Sequence, residues 1–117
     1  VDELFKEQSI RIKIYLSIPS ENDPYEKDVT LSELPSLPIS AIVTDLSFSK
    51  IQWSMPAVLT DKAKEIVIEK RHKNLFEQAY KIQIADEYFD AWKVNGKTQY
   101  KIEQDYLRAY IFIKKES

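Results

Sequence analysis

The chain has one histidine, His72, and it closes the run Glu69-Lys70-Arg71-His72. Its Glu-x-x-His spacing is the one used by carboxylate-bridged di-iron bundles, where glutamates and histidines from four helices converge on the metals. That chemistry takes two such runs plus further glutamates. Here the run occurs once, at the end of a strand-like stretch, so an exposed polar residue beside a basic cluster is the simpler reading. A lone histidine also leaves no pair for a metal or a proton relay. Serine hydrolysis fares no better. The nucleophile elbow is Gly-x-Ser-x-Gly, and the chain has a single glycine, Gly96, with nothing to set Ser47, Ser49 or Ser54 beside a base. The same count excludes a P-loop or a dinucleotide fold, whose turns need several glycines to bring backbone amides to phosphate.

Without cysteine there is no thiol nucleophile, thiolate metal site or disulfide framework. The acidic stretch from Pro19 to Asp28 lacks the glycine that an EF-hand loop requires at its sharp turn, and reads as a solvated loop. No carboxylate stands inside an apolar run where its pKa would rise. The expectation is a domain with no catalytic, cofactor-binding or metal-ligating residues, working by binding.

Two groups of residues suit binding. Basic and aromatic residues alternate through Tyr100, Lys101, Tyr106, Arg108, Tyr110 and Lys114, a pattern with which a small β-barrel can stack bases and grip phosphate. Against this, 17 basic and 19 acidic residues leave a net charge of −2, where phosphate-binding domains carry a basic surplus. Tyrosines filling a wet sheet face is the plainer alternative. The other group is Ser49 to Thr60, which gathers Ile51, Gln52, Trp53, Met55, Val58 and Leu59 in what reads as a loop, since Pro56 forbids a central strand. So much apolar surface calls for a partner that covers it, or for a fold-back that plugs one end of the chain's own barrel.

The elements that must position these residues are mostly strands. Residues 1–8 read as a tail or a frayed helical turn, and residues 9–117 as one domain, large enough to bury roughly two-thirds of its unfolded surface. Ile10, Ile12, Ile14, Leu16 and Ile18 alternate with Ser9, Arg11, Lys13, Tyr15 and Ser17, a period of two that only a strand converts into one apolar face. Further strands are expected at Val29–Leu31, Ile39–Phe48, Ala63–Lys70, Tyr80–Ala85, Glu87–Val94, Thr98–Ile102 and Tyr106–Lys114. Asn95-Gly96 signals a hairpin, both residues accepting the positive φ of a type I′ turn. Asn74-Leu75-Phe76-Glu77 suggests an N-capped helical turn. The last strand carries bulk on both faces, so it is expected to be covered on both sides or to lie in an interface. About seven short strands with one short helix point to a mainly β fold, a small barrel or sandwich. No apolar run approaches the roughly 20 residues of a membrane span, and a cytosolic chain is expected.

The run Ile10-Arg11-Ile12-Lys13-Ile14-Tyr15-Leu16, followed by Asn22-Asp23-Pro24-Tyr25-Glu26, resembles the small head-completion or head–tail connector proteins in the necks of long-tailed bacteriophages. The ending, Lys97-Thr98-Gln99-Tyr100-Lys101-Ile102-Glu103 into Tyr106-Leu107-Arg108-Ala109-Tyr110, is similar to theirs as well. The resemblance implies a compact β-barrel that joins a ring below the portal, contacts portal, adaptor or tail components, and lies close to packaged DNA. It implies residence in the host cytoplasm and then in the virion. Channel closure in such proteins is made by a loop between barrel strands. The position matching it is Ser49–Thr60, with Ile51, Gln52, Trp53, Met55, Val58 and Leu59 as its contacts. Asp23, Tyr25 and Glu26 become a second subunit-contact loop. The alternative is a nucleic-acid-binding barrel of the OB type, using Tyr100, Lys101, Tyr106, Arg108 and Tyr110.

Overall fold

A computed structural model describes residues 2–19, 29–31, 35, 38–55 and 62–113. Its elements run α1 (Asp2–Gln8), β1 (Ile10–Pro19), β2 (Val29–Leu31), β3 (Ile39–Asp45), α2 (Phe48–Ser54), β4 (Ala63–Glu69), a 3₁₀ turn (Lys70–His72), α3 (Lys73–Glu77), β5 (Ala79–Ile84), β6 (Glu87–Ala91), β7 (Lys93–Val94), β8 (Lys97–Thr98), β9 (Tyr100–Glu103) and β10 (Tyr106–Ile113). Six strands close an antiparallel barrel in the order β1-β3-β4-β10-β6-β5, and β5 returns to β1. The protein is a barrel and not a sandwich.

β1 does most to close it. Its first residues pair with β3 (Ile10↔Ala41, Ile12↔Ile39), its middle with β5 (Ile14↔Ile82), and its end with β2 (Ser17↔Leu31). A register shift between Tyr15 and Leu16 bends the strand where it changes partners, which is what a bulge does in a closed sheet. The alternation delivers Ile12 and Ile14 fully buried inside, while Arg11 and Lys13 stay exposed outside. The interior is completed by Ile39, Ala41, Ile66, Ile68, Ile82, Phe89, Leu107, Ala109 and Ile111. Phe76 of α3 is fully buried in the same core and Leu75 packs against it, so the helix between β4 and β5 is anchored to the barrel by both.

Among the described residues, two of the three turns with left-handed backbone do without glycine. Asn95 (φ 54°) and Gly96 (φ 78°) form the left-handed pair expected between β7 and β8. Ala85 (φ 53°) and Gln104 (φ 57°) take the same region in the β5–β6 and β9–β10 turns without the glycine that makes it easy.

Several expected boundaries are corrected. The opening segment is a helix with Phe5 buried, its ring 5.1 Å from that of Tyr106. The strand expected to reach Phe48 stops at Asp45, because Ser47 caps a new helix. Asn74 does not cap α3. The helix starts at Lys73 behind the 3₁₀ turn, no side chain caps it, and Ala79 and Tyr80 already belong to β5. Trp92 leaves the sheet between β6 and β7, and Gln99 interrupts the strand expected from Thr98 to Ile102. Its second part, β9, pairs with β10 and not with β7 (Leu107↔Ile102).

Candidate functional site

The apolar segment expected as a loop is, over its described part, the helix α2. The Ser47 side chain accepts a hydrogen bond from the Lys50 amide at 3.3 Å, supplying an orphan N–H of the first turn with its acceptor. Ile51 and Met55, one helical turn apart, are both fully buried. With Ala63 they form a second apolar cluster, packed against Leu46, Trp92, Tyr110 and Phe112. Ala63 pairs with Phe112 across β4 and β10, and the barrel core takes the alternate residues of β10. This cluster therefore lies on the outer wall of the barrel. The fold-back is real for Ile51 and Met55, but it covers the wall and does not plug an end.

Trp53 is different. A helix turns about 100° per residue, so residue 53 sits some 200° from residue 51 and faces away from the wall. It is 86% exposed, far above Leu4 (56%), Ile10 (46%), Val94 and Ile102. Gln52 is exposed beside it. Val58 and Leu59, expected in the same contact surface, lie outside the described residues, as do Asp23, Tyr25 and Glu26 of the proposed second loop, and Lys114.

The expected base-stacking residues come together in part. Tyr100, Lys101, Arg108 and Tyr110 line one concavity of about 300 Å³, joined by Trp92 and Glu103. Tyr106 does not line it, lying instead against Phe5 of α1. The basic groups of the groove are already engaged. Arg108 lies 3.6 Å from Glu65 and 3.7 Å from Glu103, and Lys101 lies 3.6 Å from Glu103. The Tyr100 hydroxyl donates to Glu77, and that bond, followed by burial and the Glu77 charge, raises the phenol above its ordinary pKa. Trp92, which sequence reasoning left out of the group, forms part of the wall. Its amide is bonded to the Tyr110 carbonyl at 3.0 Å, and its carbonyl accepts from Gln99 at 3.0 Å. Trp92 and Tyr110 belong both to the groove and to the cluster that anchors α2. Helix and groove therefore stand side by side on one face of the barrel.

A further cluster is assembled from residues distant in sequence, so no local pattern announces it. On the outer face of β1, β5 and β6, the Lys81 ammonium lies 4.4 Å from the ring centroid of Tyr15, 4.7 Å from Tyr88 and 5.8 Å from Tyr80. The Tyr15 hydroxyl donates to Gln83 at 3.1 Å. This is an aromatic cage filled by the chain's own cation, a stabilising contact of about 1 kcal/mol at a partly exposed site. In the sequence alone, Tyr15 reads as one residue of a wet sheet face.

His72 stands at the end of the 3₁₀ turn. Partial burial and the neighbouring Arg71 charge lower its pKa, and Glu69 works against them. Among the described residues no three His, Cys, Asp or Glu side chains are grouped to hold a metal. No described helix is long and apolar enough to cross a membrane. No protein-family model, curated protein or solved structure matches this chain.

Proposed function

We propose that this barrel is a non-catalytic assembly module whose protein-contact surface is the outer face of α2, and that it serves in the neck of a long-tailed phage. The observation that carries the reading is Trp53. It is the largest exposed apolar side chain among the described residues, and it stands on a helix whose other side is pinned by Ile51 and Met55. Solitary exposed apolar residues are common. A tryptophan held on a rigid support is less so, because a preorganised anchor loses little entropy on docking, and tryptophan is enriched among residues that dominate interfaces. The neck assignment draws on the sequence resemblance. It is supported by the closed barrel and by the place of α2, inserted between the adjacent strands β3 and β4. The test is reconstitution with purified portal and tail-tube assemblies, followed by electron microscopy. Added density at the portal that is lost on Trp53→Ala is expected. No association with any neck component would refute the assignment.

The grouping of Tyr100, Lys101, Arg108 and Tyr110 in one groove favours a second reading, binding of single-stranded nucleic acid. Carboxylates already neutralise both cations there, so we rank it lower. A titration with single-stranded DNA should show no salt-sensitive binding. A log–log salt slope of about −0.7 per neutralised phosphate would reverse the ranking.

A further inference from the structure

We propose that Trp53 of one copy seats in the Trp92–Tyr100–Tyr110 groove of a second copy, so that two chains exchange tryptophans reciprocally. The inference rests on the assembly reading and names its first partner.

The groove suits this occupant. At about 300 Å³ it lies at the lower limit of small-molecule cavities and has room for an aromatic side chain. Three of its walls are aromatic, and offset or edge-on contact between rings favours an entering indole. Its two cations complement that indole as well. Arg108 and Lys101 are held by Glu103, and a guanidinium or ammonium over an aromatic face is drawn to the negative ring quadrupole, most strongly for tryptophan. The indole N–H finds acceptors in Glu103 and Gln99, which also line the groove. The charge pattern that disfavours phosphate, cations already paired with carboxylates, favours a neutral, polarisable guest.

Placement argues for a second copy. Trp53 cannot serve its own groove, since burial of Ile51 and Met55 turns it outward. Knob and groove nevertheless share one face, because Trp92 and Tyr110 border both the α2 anchor and the groove. A patch holding both halves of a contact is self-complementary, as a two-fold interface requires. Each chain then supplies one knob and one hole.

Sedimentation velocity over a concentration series, with acrylamide quenching of tryptophan emission, tests the exchange. The wild-type chain should form a concentration-dependent dimer with reduced quenching. Trp53→Ala removes both exchanged tryptophans and should raise the dimer Kd by about a thousand-fold, about thirty-fold for each interface anchor lost. Arg108→Ala should raise it by about five-fold. In an equimolar mixture, fluorescently labelled Trp53→Ala chain should enter heterodimers with Arg108→Ala more tightly than it pairs with itself, since the tryptophan of one can enter the intact groove of the other. Wild-type chain that stays monomeric overturns the exchange, as does a dimer indifferent to Trp53→Ala or a mixture that gains nothing. Single-stranded DNA that fills the groove while Trp53 remains quenchable overturns it too. A monomer that still binds neck components through Trp53 overturns the exchange alone and leaves the assembly reading standing.

Discussion

Replacing Ile51 and Trp53 by alanine, one at a time, separates the two sides of α2 by stability. Ile51 is fully buried in the outer-wall cluster. Ile51→Ala deletes three carbon groups at about 0.8 kcal/mol each, so the transfer loss is about 2.4 kcal/mol. A residual cavity adds to this, bringing the expected range to about 2.5–4 kcal/mol. The cluster is small and its neighbours Leu46, Trp92, Tyr110 and Phe112 are only partly buried, so it can collapse somewhat and the lower end is favoured. Trp53→Ala removes a larger side chain that is 86% exposed, and should change stability by less than about 0.5 kcal/mol. Urea unfolding followed by far-UV circular dichroism reads both. With m near 1–3 kcal/mol/M, a loss of about 2.5 kcal/mol should lower the Ile51→Ala midpoint by about 0.8–2.5 M, and Trp53→Ala should leave it nearly in place. An unmoved midpoint for Ile51→Ala would mean that α2 detaches without unfolding the barrel, which would remove the support on which the proposed contact surface rests. A large drop for Trp53→Ala would mean that this side chain is packed after all.

Phe76→Ala should cost about 3–5 kcal/mol, a large part of the stability of a domain this size, because it opens a cavity at a fully buried core position; loss of a cooperative thermal transition would show it. Gly96→Ala should cost about 1 kcal/mol through φ alone, since nothing lies within 4 Å of the added Cβ, whereas Ala85→Gly should be neutral or stabilising by up to about 1 kcal/mol; differential scanning calorimetry compares the two signs. His72 is lowered below its ordinary pKa, so the unfolded chain binds its proton first as pH falls. Its contribution is complete above about pH 6.5 and is lost on acidifying through the folded pKa. The stability gap between wild type and His72→Gln should therefore narrow, or turn in favour of the variant, between about pH 7 and 5 in paired urea titrations.

What could be read from the sequence follows the range of each interaction. The period of two in β1 and β10 and the Asn95-Gly96 turn are local signals, and each appears in place. Closure through β5 and β1 is not local, and no residue in either strand announces it. The α2 segment shows how a local signal misleads. Ile51, Trp53 and Met55 are spaced by two, which suggests a strand or an apolar loop, yet the helix sets Ile51 and Met55 on one side and Trp53 on the other. The readable clue was Ser47 as an N-cap four residues ahead of the Ile51/Met55 pair. The groove was half legible. Four of its members follow from basic–aromatic alternation, but Trp92 enters only through the backbone bonds that tie it to Tyr110 and Gln99. The neutralising Glu65 enters only through the pairing of β4 with β10.

The double-faced strand β10 connects these observations. Its inner residues Leu107, Ala109 and Ile111 fill the barrel, so the bulk of Tyr106, Tyr110 and Phe112 must be covered from outside. Phe5 of α1 covers Tyr106, and the α2 cluster takes Tyr110 and Phe112. Arg108 falls between the two, exposed, and the groove opens beside it. Two short helices thus shield the ends of one strand's outer face and leave its middle accessible, bordered by aromatic rings. The same packing that buries Ile51 and Met55 also turns Trp53 outward. Burial on one side of α2 and exposure on the other are then consequences of one helix docking on one strand, and a substitution that undocks α2 should abolish knob and groove together.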